Sequence, residues 1–497
     1  MPVPYLVSPP GVIDLAPGRQ LFVDDYLLES NGFTRAYHAP VKHPGNPVFC
    51  PVSPEERAAA FPPCAVAKCG GVWYDDADSL FKMWYMSGYL GHGALAVSRD
   101  GLHWERPARD VVPGTNLVLP RDLHPDSGSV VIDYAPARPD ERYKWLLREP
   151  DVPGKPENEQ AHGLVSGDGV HWRSIGRSGK MGDRSTLFYD PFRQRWVQSI
   201  RAAAPRVGRY RQRFEAATFA GSLAWTPQTA LPWLRADSYD CGKHGPAELY
   251  NFDAIAYESL FIGFFQILHG PANRIGEAVG LPKWTELYLA TSRDAYHWHR
   301  PCRTPFLPAR REYGSWEYGY VESSAGMCLI VGDELWLYYS AYGGDPSRLS
   351  QDWHVNGTYG NGAMGLARLR RDGFVSLRPG FPGAEALTRP LRFRGGRFFV
   401  NANTVGSRLT VAVLDEDRQP LPGFGHEECE GFLGNETCAE IGWRGRSLAE
   451  LAGRALRFSF RLDRGDFYAF WTTDDPAGKS GGFTAGGGPG LTGGRDG

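Results

Sequence analysis

A short turn motif recurs along this chain and restricts the folds that it can adopt. The clearest copies are residues 98–104 (SRDGLHW), 166–172 (SGDGVHW) and 292–298 (SRDAYHW), each at the end of a β-rich stretch. An echo lies at 370–377, and a degenerate copy at 222–225. Strand-rich repeats with a period of roughly 50–80 residues are typical of propeller blades. The sequence therefore predicts a five-bladed β-propeller.

The sequence pattern changes after about residue 380, where strand-like stretches continue without the turn motif. Leu456, Phe458, Phe460 and Leu462 alternate with polar residues, as in the strands of a β-sandwich. We expect an all-β protein with four parts: an N-terminal segment joining the propeller (1–60), the propeller (61–380), a β-sandwich (381–475) and a Gly-rich tail (476–497). The tail cannot bury a core of its own, and its composition predicts a flexible segment.

Charge and cysteine content exclude several classes of function. The formal net charge of −2 gives no electrostatic reason to expect binding to nucleic acid or to an anionic membrane. The first residues contain neither a basic region nor a long apolar run, which predicts a cytoplasmic protein without a signal peptide or a membrane span. The eight cysteines form no C-x-x-C pair, so we expect free thiols. A homo-oligomer is compatible with this composition.

Acidic residues precede the first strand of four predicted blades. These residues are Asp126, Asp183, Asp253 and Glu322. A propeller brings the first strand of every blade to one axis, so the four carboxyl groups should line a common funnel. Blade one lacks such an acid, and Asp24 or Asp25 of the N-terminal segment is a candidate to fill the gap.

Clustered carboxyl groups suit the cleavage of glycosidic bonds. Mutual repulsion raises the pKa of one group, which then donates a proton beside an ionised partner. Any single acid could instead cap a strand or bind a structural cation. The Asp and Trp of the turn motif are expected to be structural, because Asp accepts the N–H groups of the turn and Trp packs between strands.

Other funnel candidates have equally simple structural explanations. Arg184 and Arg201 could hold a carboxylate in its ionised form or bind an acidic sugar. The basic run 209–213 could do the same, or it could be a solvated loop. Trp316 could stack on a sugar or pack a loop. His354 could lie over the axis or simply be hydrogen-bonded.

Three segments and the turn motif resemble bacterial proteins related to glycoside hydrolase families 32 and 43. The segments are 21–28 (LFVDDYLL), 38–48 (HAPVKHPGNPV) and 182–186 (GDRST). The resemblance implies a five-bladed propeller with a C-terminal β-sandwich, and three acids that act as nucleophile or base, as a second tuning Asp and as a Glu general acid. The sequence departs from the families in lacking W-M-N-D-P-N and a clear R-D-P, and its only E-C pair, Glu428-Cys429, falls in the predicted sandwich.

The resemblance and the blade pattern together give a set of candidate site residues. Asp183 and Asp25 are the predicted nucleophile or base and stabiliser, and Glu322 is the predicted general acid, with Asp253 and Glu248 as alternatives for that role. The predicted substrate-binding residues are Asp24, Asp126, Arg184, Glu248, Asp253, Trp316 and His354.

The predicted function is that of a glycoside hydrolase, exo-acting on an oligosaccharide or glycoside with a furanosidic or related terminal sugar. No cofactor is required for this chemistry, no metal ligands are assigned, and a central Ca²⁺ is an open alternative. Two further hypotheses remain: a phosphorylase or sialidase-like enzyme on the same scaffold, indicated by the arginines near blade three, and a non-catalytic carbohydrate-binding propeller.

Overall fold

Five antiparallel sheets surround a common axis in a computed structural model that describes residues 3–152 and 154–497. The predicted all-β class, a five-bladed propeller followed by a sandwich, is confirmed. The inner strands of blades one to four contact one another in order, and blade five closes the ring through the bridge between Ala325 and Gly71 of blade one and through contacts with the third strand of blade four. The blade strands are Ala65–Asp75, Leu80–Ser87 and His92–Ser98 in blade one; Ser127–Ile132, Tyr143–Arg148, Gln160–Ser166 and Arg173–Lys180 in blade two; Thr186–Asp190, Arg195–Ala204, Gly208–Ala216 and Leu231–Arg235 in blade three; Glu248–Glu258, Leu260–Gly270 and Trp284–Ser292 in blade four; and Gly319–Glu322, Cys328–Val331, Glu334–Tyr342 and Gly362–Arg370 in blade five.

The recurring turn has one hydrogen-bonding pattern in blades one, two and four. Asp100 Oδ1 accepts the backbone N–H groups of Leu102 and His103, and Oδ2 lies 2.7 Å from His103 Nδ1. Asp168 and Asp294 make the same contacts in their own turns. The Asp therefore satisfies turn N–H groups, and the three histidines belong to the turns rather than to a site.

The tryptophan that ends each turn packs inside the propeller. Trp172 lies 5.0 Å from Trp145 and Trp298 lies 4.7 Å from Phe252, measured between ring centres and in edge-on geometry. The echo at 370–377 has a different role. Its Asp372 is buried and accepts hydrogen bonds from Arg19 and Asn401, so this turn joins the propeller to the sandwich.

The N-terminal segment belongs to both domains, which the predicted boundaries did not anticipate. Val41–Lys42 forms the outermost strand of blade five, pairing with Gly362–Arg370. Four earlier strands join two sandwich sheets, and the sandwich itself starts before residue 381. Its strands are Ile13–Asp14, Gln20–Leu21, Leu28–Asn31, Phe33–Tyr37, Val375–Pro379, Glu385–Thr388, Leu391–Arg392, Arg397–Asn403, Thr410–Leu414, Asn435–Ile441, Ala455–Arg461 and Asp466–Thr473.

The Gly-rich tail is ordered, and the prediction of a flexible segment is wrong. Phe483–Thr484 pairs with the end of the inner strand of blade four. Gly486 donates its N–H to Cys328 O at 2.7 Å and accepts from Tyr74 N at 2.8 Å, so the tail crosses the propeller at the end where inner strands finish. A Cβ at Gly488 would fall 1.8 Å from Ile330 O. Glycine thus allows the backbone of the tail to lie close to the propeller strands, so the tail is held without a hydrophobic core of its own.

Helices are few and short. The α-helices are Pro4–Val7, Phe219–Ser222 and Asn273–Glu277, and the 3₁₀ helices are Pro139–Glu141, Pro156–Glu159, Gly357–Tyr359 and Leu448–Leu451. Within the two described ranges, none of them has the length and apolar character needed to cross a bilayer. All eight cysteines are free.

Candidate active site in the propeller funnel

The funnel is the end of the propeller at which the inner strands begin, and every blade contributes a polar side chain to it. The five residues, one from each blade in order, are Lys68, Asp126, Asp183, Tyr250 and Tyr320. Lys68 Nζ lies 3.3 Å from Asp126 Oδ1 and 5.8 Å from the ring centre of Tyr320, which donates to the Tyr250 hydroxyl at 3.2 Å. The propeller thus gathers side chains that are far apart in sequence, as predicted for this fold.

Asp183 is the most exposed of the four blade-opening acids. Its side chain is 31% exposed, and Oδ1 lies 2.7 Å from Arg201 Nη1. Burial alone would favour the neutral acid, but the positive charges of Arg201, Lys283 and Lys68 outweigh it and hold the pKa of Asp183 well below its usual range. Asp183 is therefore an ionised carboxylate that a ligand can reach.

Arg184 and Glu322 form a buried ion pair beneath Asp183. The guanidinium Nε lies 3.3 Å from Glu322 Oε1, and the other nitrogens donate to the backbone carbonyls of Lys68 and Ser323 at 2.5 and 3.2 Å. Glu322 is 0% exposed. The structure therefore ties blades one, three and five together with this pair, and Glu322 is not accessible as the general acid that the sequence predicted.

Two residues of the funnel have left-handed backbone conformations. Arg184 has φ of 58° and Tyr320 has φ of 53°, and a number of residues outside the funnel, such as Ser79 and Glu258, lie in a similar range. Such conformations cost on the order of 1 kcal/mol for residues other than glycine. Both residues lie at blade openings, Arg184 in blade three and Tyr320 in blade five, so part of the backbone strain of the chain falls at this end of the propeller.

The remaining predicted acids lie in the funnel, and each is bound to other protein groups. Asp126 lies between Lys68 and Arg148, at 3.3 Å from each. Asp253 is buried and accepts from Asn251 at 2.8 Å and Ser323 at 2.5 Å. Glu248 pairs with Arg209 at 2.8 Å and is partly exposed at the rim. These three residues shape the electrostatics and walls of the funnel.

A cage of tyrosines surrounds two lysines above the ion pair. Tyr89 and Tyr359 stack at 4.5 Å, bringing a hairpin of blade one against the long loop 343–361 of blade five. Lys68 Nζ lies 5.0 Å from the Tyr89 ring centre, and Lys283 Nζ lies 5.2 Å from that of Tyr359. Burial raises the pKa of both tyrosines, which therefore present neutral aromatic rings and hydroxyl groups to the funnel.

Asp24 and Asp25 do not reach the funnel, and their predicted roles are wrong. Asp24 is buried and pairs with Arg293 at 2.8 Å, while Asp25 is 67% exposed and pairs with Arg35 at 2.5 Å. Both belong to the N-terminal segment that builds the sandwich, so they follow that domain. Blade one fills its position with the cation Lys68 instead.

Trp316 and His354 also lie away from the cluster of acids. Trp316 stacks on Tyr339 of blade five at 5.8 Å between ring centres. His354 stacks on Trp353 and bonds to Asp352 within loop 343–361. The residue of that loop that enters the funnel is Tyr359, so the alternative structural readings of Trp316 and His354 fit the observed contacts.

Lys68, Lys283 and the tyrosines were missed at the sequence level. Lys68 is a single charged residue inside an otherwise apolar inner strand, a signal that was visible in the sequence. Lys283 precedes the third strand of blade four, where nothing local distinguishes it from a surface lysine. Its neighbours come from other blades, and only the closed propeller reveals them.

The described residues offer no metal centre at this end of the propeller, and a cavity lies toward its other end. Among the residues that the structure describes, no group of three or more His, Cys, Asp or Glu side chains is placed to hold a metal ion. The cavity, of about 240 Å³, lies on the side that the tail covers, and residues of all five blades and of the tail line it. Its lining is mostly apolar, and of the blade-opening acids only Asp253 borders it.

No protein-family model matches the chain, and no curated protein matches its sequence. Similar solved structures include an N-acetylgalactosamine deacetylase from F. plautii (14% identity, TM-score 0.42, 69% of this chain and 97% of that chain). Another is a glycoside hydrolase of the GH130 family of mannoside phosphorylases, which targets β-1,2 mannosidic linkages in Candida mannan (11%, 0.44, 67% and 94%). A third is the GH32 β-fructofuranosidase BmSUC1 of Bombyx mori (12%, 0.41, 85% and 95%). At these values the similarities say nothing about the reaction.

Proposed function

We propose that this protein is a glycoside hydrolase that cleaves a terminal sugar in the propeller funnel. The observation that carries the proposal is the position of Asp183, a carboxyl group that is 31% exposed at the funnel, pairs with Arg201 at 2.7 Å and lies near the tyrosines of the funnel. An ionised carboxylate acts as nucleophile or base in glycosidic cleavage and stabilises the positive charge that develops on the sugar ring. Tyrosine rings and hydroxyls supply the apolar and polar contacts that sugars require.

The closed depth of the funnel favours removal of one terminal sugar. The Arg184–Glu322 pair crosses the channel beneath Asp183, and the tail covers its other end. A polysaccharide chain would therefore have to enter by its end, which supports the predicted exo-action. Asp183 keeps its predicted role, whereas Asp25 and Glu322 have none in this proposal.

A panel of nitrophenyl pyranosides and furanosides tests the proposal with three proteins: wild type, Asp183→Asn and Asp190→Asn. Asp190 is the matched control, because it caps a turn at the far end of the same inner strand. We expect release of nitrophenol by wild type and a loss of at least about 10³-fold in kcat/KM for Asp183→Asn. The control should retain activity per folded molecule. Sugar binding that survives Asp183→Asn, without turnover of any glycoside by wild type, would instead support a carbohydrate-binding propeller.

A further inference from the structure

Lys283 is buried in the funnel without a carboxylate partner. Its side chain is 3% exposed, and its Nζ donates to the Tyr250 hydroxyl at 2.8 Å. Within residues 3–152 and 154–497, it forms no ion pair, and its other close neighbours are the rings of Tyr250, Tyr320 and Tyr359 at 4.5–5.2 Å. A buried ammonium group without a counter-ion is unfavourable, and an anion beside Lys283 would stabilise its charged form.

Positive charge exceeds negative charge throughout the funnel. The cations are Lys68, Arg148, Arg184, Arg201, Arg209, Arg211 and Lys283, and the carboxylates are Asp126, Asp151, Asp183, Glu248, Asp253 and Glu322. Arg211 bonds only to backbone carbonyls and a serine hydroxyl among the described residues. The funnel therefore has one more cation than carboxylates, although the whole chain is slightly acidic.

Two arginines at the mouth retain donors that no protein group uses. Arg201 and Arg209 each pair with one acid, yet the buried Nε–H of each has no hydrogen-bond partner in the described part of the chain. An anionic ligand at the mouth would satisfy both donors. Both side chains are about one-fifth to one-quarter exposed, so a ligand at the mouth can reach them.

We infer that the ligand of the funnel carries an oxyanion, a carboxylate or a phosphate group, which binds to Lys283 beside Asp183 with Arg201 and Arg209 as further donors. The inference that the substrate carries the oxyanion rests on the proposed function. The inference that the funnel binds an oxyanion does not depend on it. The anion would neutralise the excess charge and place the sugar ring next to the Asp183 carboxylate.

The oxyanion has two chemical sources. It is either a carboxylate on the sugar, which stays on the product through hydrolysis, or inorganic phosphate as a co-substrate. In the second case a phosphate oxygen bonds to the anomeric carbon and the glycosidic C–O bond breaks. The departing oxygen takes the proton of hydrogen phosphate, giving a sugar 1-phosphate and an alcohol.

Titration calorimetry with the full chain tests binding, using sodium phosphate and sodium glucuronate as separate probes. The proteins are wild type, Lys283→Met, Lys283→Arg and Lys180→Met, the last a matched control on the exposed edge of blade two. We expect at least one probe to bind wild type, Lys283→Met to weaken it roughly tenfold or more, and Lys283→Arg to restore part of the affinity. Lys180→Met should bind as wild type does.

The outcomes separate the inference from the proposed function. Absence of binding by both probes, or binding that Lys283→Met leaves unchanged, would overturn the inference even if neutral glycosides are hydrolysed. Anion binding that depends on Lys283, without turnover of any glycoside, would support the inference and reject the proposed function. Phosphate-dependent formation of a sugar 1-phosphate identifies phosphate as the source, and selective binding of glucuronate identifies a sugar acid.

Discussion

Replacing Lys283 with Met should stabilise the fold at neutral pH, although it removes a funnel residue. Burial, reinforced by repulsion from Arg209, lowers the pKa of Lys283 from 10.5 to about 7. At about 1.4 kcal/mol per pKa unit, the fold disfavours the charged form by ~4–5 kcal/mol. Lost cation–π contacts and the hydrogen bond to Tyr250 offset about 1–2 kcal/mol of this. We expect Lys283→Met to raise the free energy of unfolding by ~2–4 kcal/mol at pH 7.

The gain should disappear as the pH rises. Between about pH 7 and 10.5 the unfolded lysine keeps its proton while the native lysine has lost it, so the wild type becomes more stable with rising pH and the Met variant has no such term. The other charged or titratable groups that face Lys283 are common to both proteins and cancel in the comparison. These groups are Lys68, Asp183, Arg209, Tyr250, Tyr320, Glu322 and Tyr359.

Urea unfolding followed by tryptophan fluorescence at pH 7, 8.5 and 10 measures this difference. Lys68→Met is the matched control, because Lys68 is equally buried but pairs with Asp126 at 3.3 Å. That substitution should destabilise the protein by ~3 kcal/mol, since it removes one partner of a buried pair. A Lys283→Met protein that is less stable than wild type at pH 7, or whose advantage is the same at pH 7 and pH 10, would refute the electrostatic reasoning.

Three further predictions concern the parts of the chain around the site. Deleting residues 481–497 should lower the melting temperature by several degrees, because Arg371 loses Asp496 and blade four loses its added strand; an unchanged calorimetric transition would contradict this. Arg293→Met should destabilise the protein by ~3 kcal/mol in urea, because it leaves Asp24 buried without its partner, whereas Asp25→Asn should shift the urea midpoint little, because its pair with Arg35 is exposed on one side. Glu322→Gln should reduce stability by about 1–3 kcal/mol, and its activity loss should follow the loss of folded protein; full stability with no activity would restore a catalytic role to Glu322.

The repeated elements of the fold could be predicted from the sequence because their signals are local. The S-x-D turn forms hydrogen bonds within itself, and the alternation of Leu456, Phe458 and Phe460 marks a buried face. Neither signal depends on residues that are distant in the sequence. The tail could not be predicted in the same way. Its glycines have no side chains to bury, and their order comes from backbone hydrogen bonds to strands of other blades.

A site residue could be predicted where it precedes the first strand of its own blade. It could not be predicted where its role depends on contacts with other blades or with the sandwich. Asp183 was found because an acid before an apolar strand is visible in one segment. Asp25 was misplaced because the strands on either side of it, Gln20–Leu21 and Leu28–Asn31, belong to the sandwich, through long-range pairing with Asp466–Thr473 and Glu385–Thr388. Glu322 opens its blade as predicted, but burial against Arg184 depends on a residue from blade three.

Several unfavourable features of this molecule lie where the inner strands begin, and the propeller does not require them. Inner strands elsewhere are closed by apolar packing, and the tail closes the opposite end with backbone hydrogen bonds and with the ion pair between Asp496 and Arg371. At the funnel the chain holds a buried lysine without a counter-ion and two residues with positive φ, each at a cost of one or more kcal/mol. Substitutions that relieve such costs are readily available, as the Lys283→Met prediction illustrates, and at a functional site their usual cost is loss of function. Binding of an anionic sugar or of phosphate is the function that such a substitution would remove, because the ligand neutralises the charge of Lys283.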